Sequence, residues 1–116
     1  MKLRADVEIY LALEPIDLRW SFDRLLGCAN DRIGRSAKSG ALFVFFGKRR
    51  DRVKILFHDR GGYCILYKRL DRGTFRMPVV TAPDAASVTI DAAELDLLLE
   101  GLALLDARVT KKSSVH

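Results

Sequence analysis

Lys48, Arg49, Arg50 and Arg52 fall within six residues, in the stretch Gly47 to Arg52 that reads GKRRDR. Cations spaced this closely repel one another unless an anion lies among them, so the chemistry on offer is the holding of phosphates. The sign persists downstream. From Lys48 to Arg76 there are ten Lys or Arg against Asp51, Asp59 and Asp71, so this segment carries +7 and the rest of the chain −2 of the formal +5. Focused positive charge attracts polyanions, and releasing the counterions condensed on nucleic acid supplies free energy. The expected DNA-binding residues are Lys48, Arg49, Arg50, Arg52, Lys54, Tyr67, Lys68, Arg69 and Arg72. The competing reading is a solvated face that keeps the protein soluble.

Bond-making chemistry finds no constellation. His58 and Asp59 are neighbours on a stretch that reads as a strand, so their side chains point to opposite faces and cannot act as an acid and its orienter. The chain has no GxxxxGK[ST], GxGxxG or GxSxG pattern, and its second histidine, His116, is the last residue. Asp17 and Asp23 are better used in capping and solvating a helix than in holding a cation. Cys28 and Cys64 have no Cys or His companions at ligand spacing, which argues against zinc or a disulfide framework and for small hydrophobes in a reducing compartment. No catalytic residue, metal or cofactor is expected. The first fifteen residues lack the apolar core of a signal peptide, and no stretch approaches the ~20 apolar residues of a membrane span. The expectation is a cytoplasmic protein, nucleoid-associated when bound to DNA.

The elements that must position the cations can be read from periodicity. Val7 to Leu13 is rich in strand formers and stops before Pro15. Asp17 is placed to cap a helix in which Leu18, Phe22, Leu25, Leu26, Ala29 and Ile33 recur at spacings of three and four. Then ALFVFF, VKILFH and YCILYKRL, separated by GKRRDR and DRGG, predict an antiparallel meander. With its second turn centred on Arg60 and Gly61, Lys54 faces Tyr67, Leu56 faces Ile65 and His58 faces Tyr63. One face of this hairpin then carries Val53, Ile55, Phe57, Cys64, Leu66 and Leu70. The other mixes Arg52, Lys54, Leu56 and His58 with Tyr63, Ile65, Tyr67 and Arg69. Two readings of the mixed face stay open: a surface where cations hold phosphates while aromatics meet bases, or a helix-covered patch with cationic stems at its rim.

Residues 76–87 read as a connector and Val88 to Ile90 as a short edge strand. Asp91 and Glu94 have capping-box spacing ahead of a helix with Leu95, Leu98, Leu99, Leu102 and Leu105 on one stripe. Leu97 and Leu104 fall off it and are the expected partner interface. The fold class is α+β, an antiparallel sheet packed with an N-terminal helix and a C-terminal Leu-rich helix. It is read as one domain over residues 1–110, with 111–116 a flexible basic tail.

The segments VEIYLALEPIDLRWSFDRLLG, SGALFVFFGKRRDRVKILFHDRGGYCILYKRLDRGTFRMP and LDLLLEGL, in this order, resemble the TnpB accessory proteins, second-open-reading-frame products of IS66-family insertion sequences. These are distinct from the RNA-guided nucleases that share the name. The most specific match runs from Gly47 to Leu70. The chain departs from the family pattern at Phe46, at Phe57-His58 and at Met77, where an Arg, an aromatic-Asp pair and a Trp are usual. The resemblance implies an accessory role in transposition beside a separate transposase, and offers no catalytic residue. The expected partners are DNA, including insertion-sequence ends, the element's transposase, and a second copy of the chain. An alternative role is a protein-interaction adaptor that docks the transposase through the Leu-rich helix.

Overall fold

The computed structural model describes residues 6–77 and 84–100. Among the described residues, five strands form one sheet: β1 (Ile9–Ala12), β2 (Leu42–Phe46), β3 (Arg52–Asp59), β4 (Gly62–Arg69) and β5 (Ser87–Ile90). Their order across the sheet is β4-β3-β2-β1-β5. All neighbouring pairs are antiparallel except β1 and β2, which run parallel in the register Ile9 to Leu42. A parallel pair needs a crossover, and residues 13–41 provide it with α1 (Phe22–Gly27), which continues as a π-helical turn over Cys28–Ile33. The second helix, α2 (Ala92–Leu99), follows β5. Among the described residues no helix is long and apolar enough to cross a membrane.

The hairpin of β3 and β4 has the predicted register, with Lys54 opposite Tyr67, Leu56 opposite Ile65 and His58 opposite Tyr63. Arg60 and Gly61 turn the chain with positive φ, and nothing stands within 4 Å of where a Gly61 side chain would begin, so that position is glycine for its backbone alone. The predicted capping box also forms: the Asp91 carboxylate accepts from Glu94 N–H and the Glu94 carboxylate from Asp91 N–H, each at 2.8 Å.

Both faces of the sheet are covered. Ile9, Leu11, Leu42, Val44, Phe46, Val53 and Ile55 pack under Phe75, Leu95 and Leu98 on one side. On the other, Tyr10, Phe43, Phe45 and Leu56 pack with Ile16, Leu25, Ala29 and Ala37 from the crossover. The helix-covered reading of the mixed face therefore holds over its inner half, where Tyr63 and Ile65 lean on this second cluster. It fails at the outer end, where Tyr67 is 51% exposed.

The start of α1 differs from the sequence expectation. Asp17 does not cap the helix, because its carboxylate already accepts from the backbone N–H of Arg19 at 2.9 Å and from the Arg19 guanidinium at 2.7 Å. This local Asx turn competes with the cap and wins, and the helix begins later, behind Ser21. Leu102, Leu104, Leu105, the tail and Pro78 to Pro83 lie outside the described residues.

Candidate nucleic-acid interface

The β2–β3 connection is short. Gly47 N–H donates to the Arg52 carbonyl at 3.2 Å, which closes the hairpin around four residues, and Arg50 N–H donates back to the Gly47 carbonyl at 3.0 Å. Arg50 takes a left-handed φ of 60°, a conformation that a non-glycine residue holds only when its surroundings impose it. Two further bonds do so. Leu70 N–H donates to the Asp51 carbonyl at 2.9 Å, and Phe75 N–H to the Arg50 carbonyl at 2.6 Å.

These bonds bring a second basic segment to the first. After β4 the chain folds back beneath the turn, and buried Phe75 fixes it there with its ring 5.3 Å from that of Phe46. Arg72 and Arg76 flank this anchor. One end of the sheet thus gathers Lys48, Arg49, Arg50, Arg52, Arg69, Arg72 and Arg76, with Asp51 and Asp71 as the nearby carboxylates in sequence. Among the described residues, Lys48, Arg49, Arg50, Arg69 and Arg72 have no side-chain hydrogen bond or ion pair. The bond from Leu70 to Asp51 also fixes the ladder's alternation, making Arg52 and Arg69 a non-hydrogen-bonded pair, the kind whose side chains stand closest. Like charges opposed in this way are destabilising until an anion joins them.

Not every expected contact residue belongs to this cluster. Lys54 is only 8% exposed, and its Nζ donates to the carbonyls of Leu18 and Trp20, each at 2.7 Å, while lying 4.9 Å from the Tyr67 ring centroid. Its ammonium is spent on two backbone carbonyls of the turn ahead of α1, so it ties the crossover to the sheet. Lys68 lies on the opposite face from Tyr67, and its Nζ donates to the Leu99 carbonyl at the end of α2, where a cation suits the exposed carbonyls. Arg52 donates to the Tyr67 hydroxyl at 3.3 Å. Leu97 is half-buried against the core.

Sequence reasoning missed two parts of this site. Phe75 sits in a polar, glycine-containing stretch just ahead of the predicted connector, where its flanking arginines give no periodic pattern to read. The second part is an open basin of about 320 Å³ lined by Ile16, Asp17, Leu18, Lys48, Arg49, Asp51 and Arg52. It joins the first crossover turn to the basic loop through the pairing of Ile16 with Gly47, which no local pattern foretells. The Arg19 guanidinium holds the Asp17 carboxyl down to about 2, by its hydrogen bonds first and its charge second. Burial pushes the Cys28 thiol up.

No solved structure matches the chain. Two curated relatives, y4hO and y4jC of Sinorhizobium fredii (strain NBRC 101917 / NGR234), are each described as an uncharacterized protein. The first is 31% identical over 97 residues, covering 84% of this chain and 82% of its own length. The second is 30% identical over 96 residues, covering 83% and 80%. The family profile described as IS66 Orf2 like protein matches residues 7–109, a span that takes in the whole sheet, both helices and the basic turn. The chain belongs to the IS66 Orf2-like family of insertion-sequence accessory proteins.

Proposed function

We propose that the protein is a non-enzymatic accessory factor of transposition that binds DNA, near the ends of its element, through the basic end of its sheet. The observation that carries this reading is the convergence of Lys48, Arg49, Arg50, Arg69 and Arg72 with no ion pair among the described residues. A hydrogen-bonded turn presents the first three, so little backbone freedom is lost when phosphates arrive. Acting as one domain in the cytoplasm, the protein would deliver DNA to the element's transposase, alone or as a homo-oligomer. Docking through Leu97 and Leu104 is the second reading, favoured by the part of Leu97 that the core leaves uncovered.

Salt separates the two. Binding through phosphates makes log affinity fall linearly with log salt, by about 0.9 for each phosphate neutralised on duplex DNA, whereas docking through leucines is nearly indifferent to salt. Replacing Lys48, Arg49, Arg50 and Arg52 together by Gln should remove most of the affinity for DNA and flatten this slope, while a thermal melt stays cooperative. Unchanged DNA affinity in that folded variant would rule out the basic end and leave the adaptor in front.

A further inference from the structure

We propose that the basin beside the 47–52 turn receives an unpaired base of a DNA strand whose phosphates rest on that turn, so that the protein prefers single-stranded or frayed DNA to intact duplex. The proposal rests on the DNA-binding reading above and adds to it a ligand class and a place for the base.

The basin's composition separates a base from a phosphate. Lys48, Arg49 and Arg52 line it, but so do Asp17 and Asp51 and the apolar Ile16 and Leu18. Arg19 already holds the Asp17 carboxylate, so a phosphate inside would meet the Asp51 carboxylate and two hydrocarbon side chains. A base suits the same walls, because its flat faces prefer apolar contact and its amino groups can donate to Asp51. Its own phosphate then falls outside, among the cations of the turn. A volume of about 320 Å³ leaves ample room for a single aromatic base.

The walls are built before any ligand arrives. Ile16 N–H donates to the Phe46 carbonyl at 2.8 Å, and the side chain of Leu18 lies so close to Gly47 that a Cβ there would meet it at 2.7 Å. Without a side chain at Gly47, Leu18 lies directly against the turn on this side of the basin. Arg52 lines the basin and donates to the Tyr67 hydroxyl, so a single side chain links the cavity to a half-exposed aromatic ring. That ring is positioned for a second base of the same strand. Intact duplex cannot seat a base in either place, since its base faces are stacked on one another and its Watson–Crick edges are paired.

The test compares three probes of one sequence by fluorescence anisotropy at fixed salt: a short single strand, its duplex, and the strand with abasic sites in place of bases. The single strand should bind tighter than the other two by about tenfold, the scale of one or two base contacts. Tyr67→Ala should lower its affinity by roughly 5- to 150-fold, a larger loss than for duplex, and Tyr67→Phe, which keeps the ring, should retain the preference for single strand. A strand carrying photoreactive 5-iodouracil should crosslink to residues 16–18, 48–52 or Tyr67. Equal affinity for all three probes, or crosslinks confined to other regions, overturns the proposal. If the quadruple Gln variant has nonetheless lost binding, the DNA reading survives that result; if it has not, both fall.

Discussion

Lys54 shows how far a residue's role depends on what lies across from it. Period-two alternation correctly sets it beside Tyr67, but its two carbonyl partners come from residues 34 and 36 positions earlier, a distance no local pattern encodes. Hydrogen bonds to a charged group are worth about 1.5–3 kcal/mol each, and removing the donor strands both carbonyls beneath α1. Lys54→Met should therefore lower the free energy of unfolding by at least about 1.5–3 kcal/mol in a urea titration, with the salt slope of DNA binding unchanged. Asp17 gives a pH signature at the same scale. Its folded-state pKa lies below its ordinary value of 3.8, at about 2, so its contribution to stability is complete above about pH 4 and is lost as pH falls towards 2. A carboxyl titration followed by NMR should show this depressed value, and Arg19→Ala should return it towards 3.8.

The β3–β4 hairpin was legible in full because an Asp-Arg-Gly-Gly turn and strict alternation leave only one register that puts Val53, Ile55 and Leu66 on the same side. The capping box of α2 was equally legible, since it depends on two side chains three residues apart. The crossover was not. Its helix starts late because Asp17 bonds Arg19 locally, and its packing over Leu56 follows from a parallel pairing between β1 and β2 that involves distant residues. The strap from Leu70 to Arg76 was also hidden, being irregular and held by Phe75 and by two backbone bonds to the turn. Phe75→Ala removes that anchor from beside Phe46, and the expected loss is about 3–5 kcal/mol of stability in a denaturant melt. In whatever fraction stays folded, DNA affinity should fall as well, because Arg72 and Arg76 lose their fixed positions.

Seen whole, the molecule is a sheet covered on both faces, with seven cations gathered at one end. The sequence revealed their number and sign, and the turn at Gly47 to Arg52 revealed where they emerge; that Arg69, Arg72 and Arg76 join them depended on the return of the chain after β4. Such a cluster is a standing repulsion in the unbound protein. Added salt screens it, so the melting temperature should rise between low and moderate ionic strength, and the rise should shrink in the quadruple Gln variant. A different consequence follows from the position of β1. The meander of β2, β3 and β4 joins residues that are close in sequence, but β1 lies between β2 and β5, and its register ties Ile9 to Ile90. On the ribosome, the first strand to emerge must wait for the last before both of its edges are paired. The basic hairpin can assemble early, whereas closing the long loop between β1 and β5 should set the pace of folding.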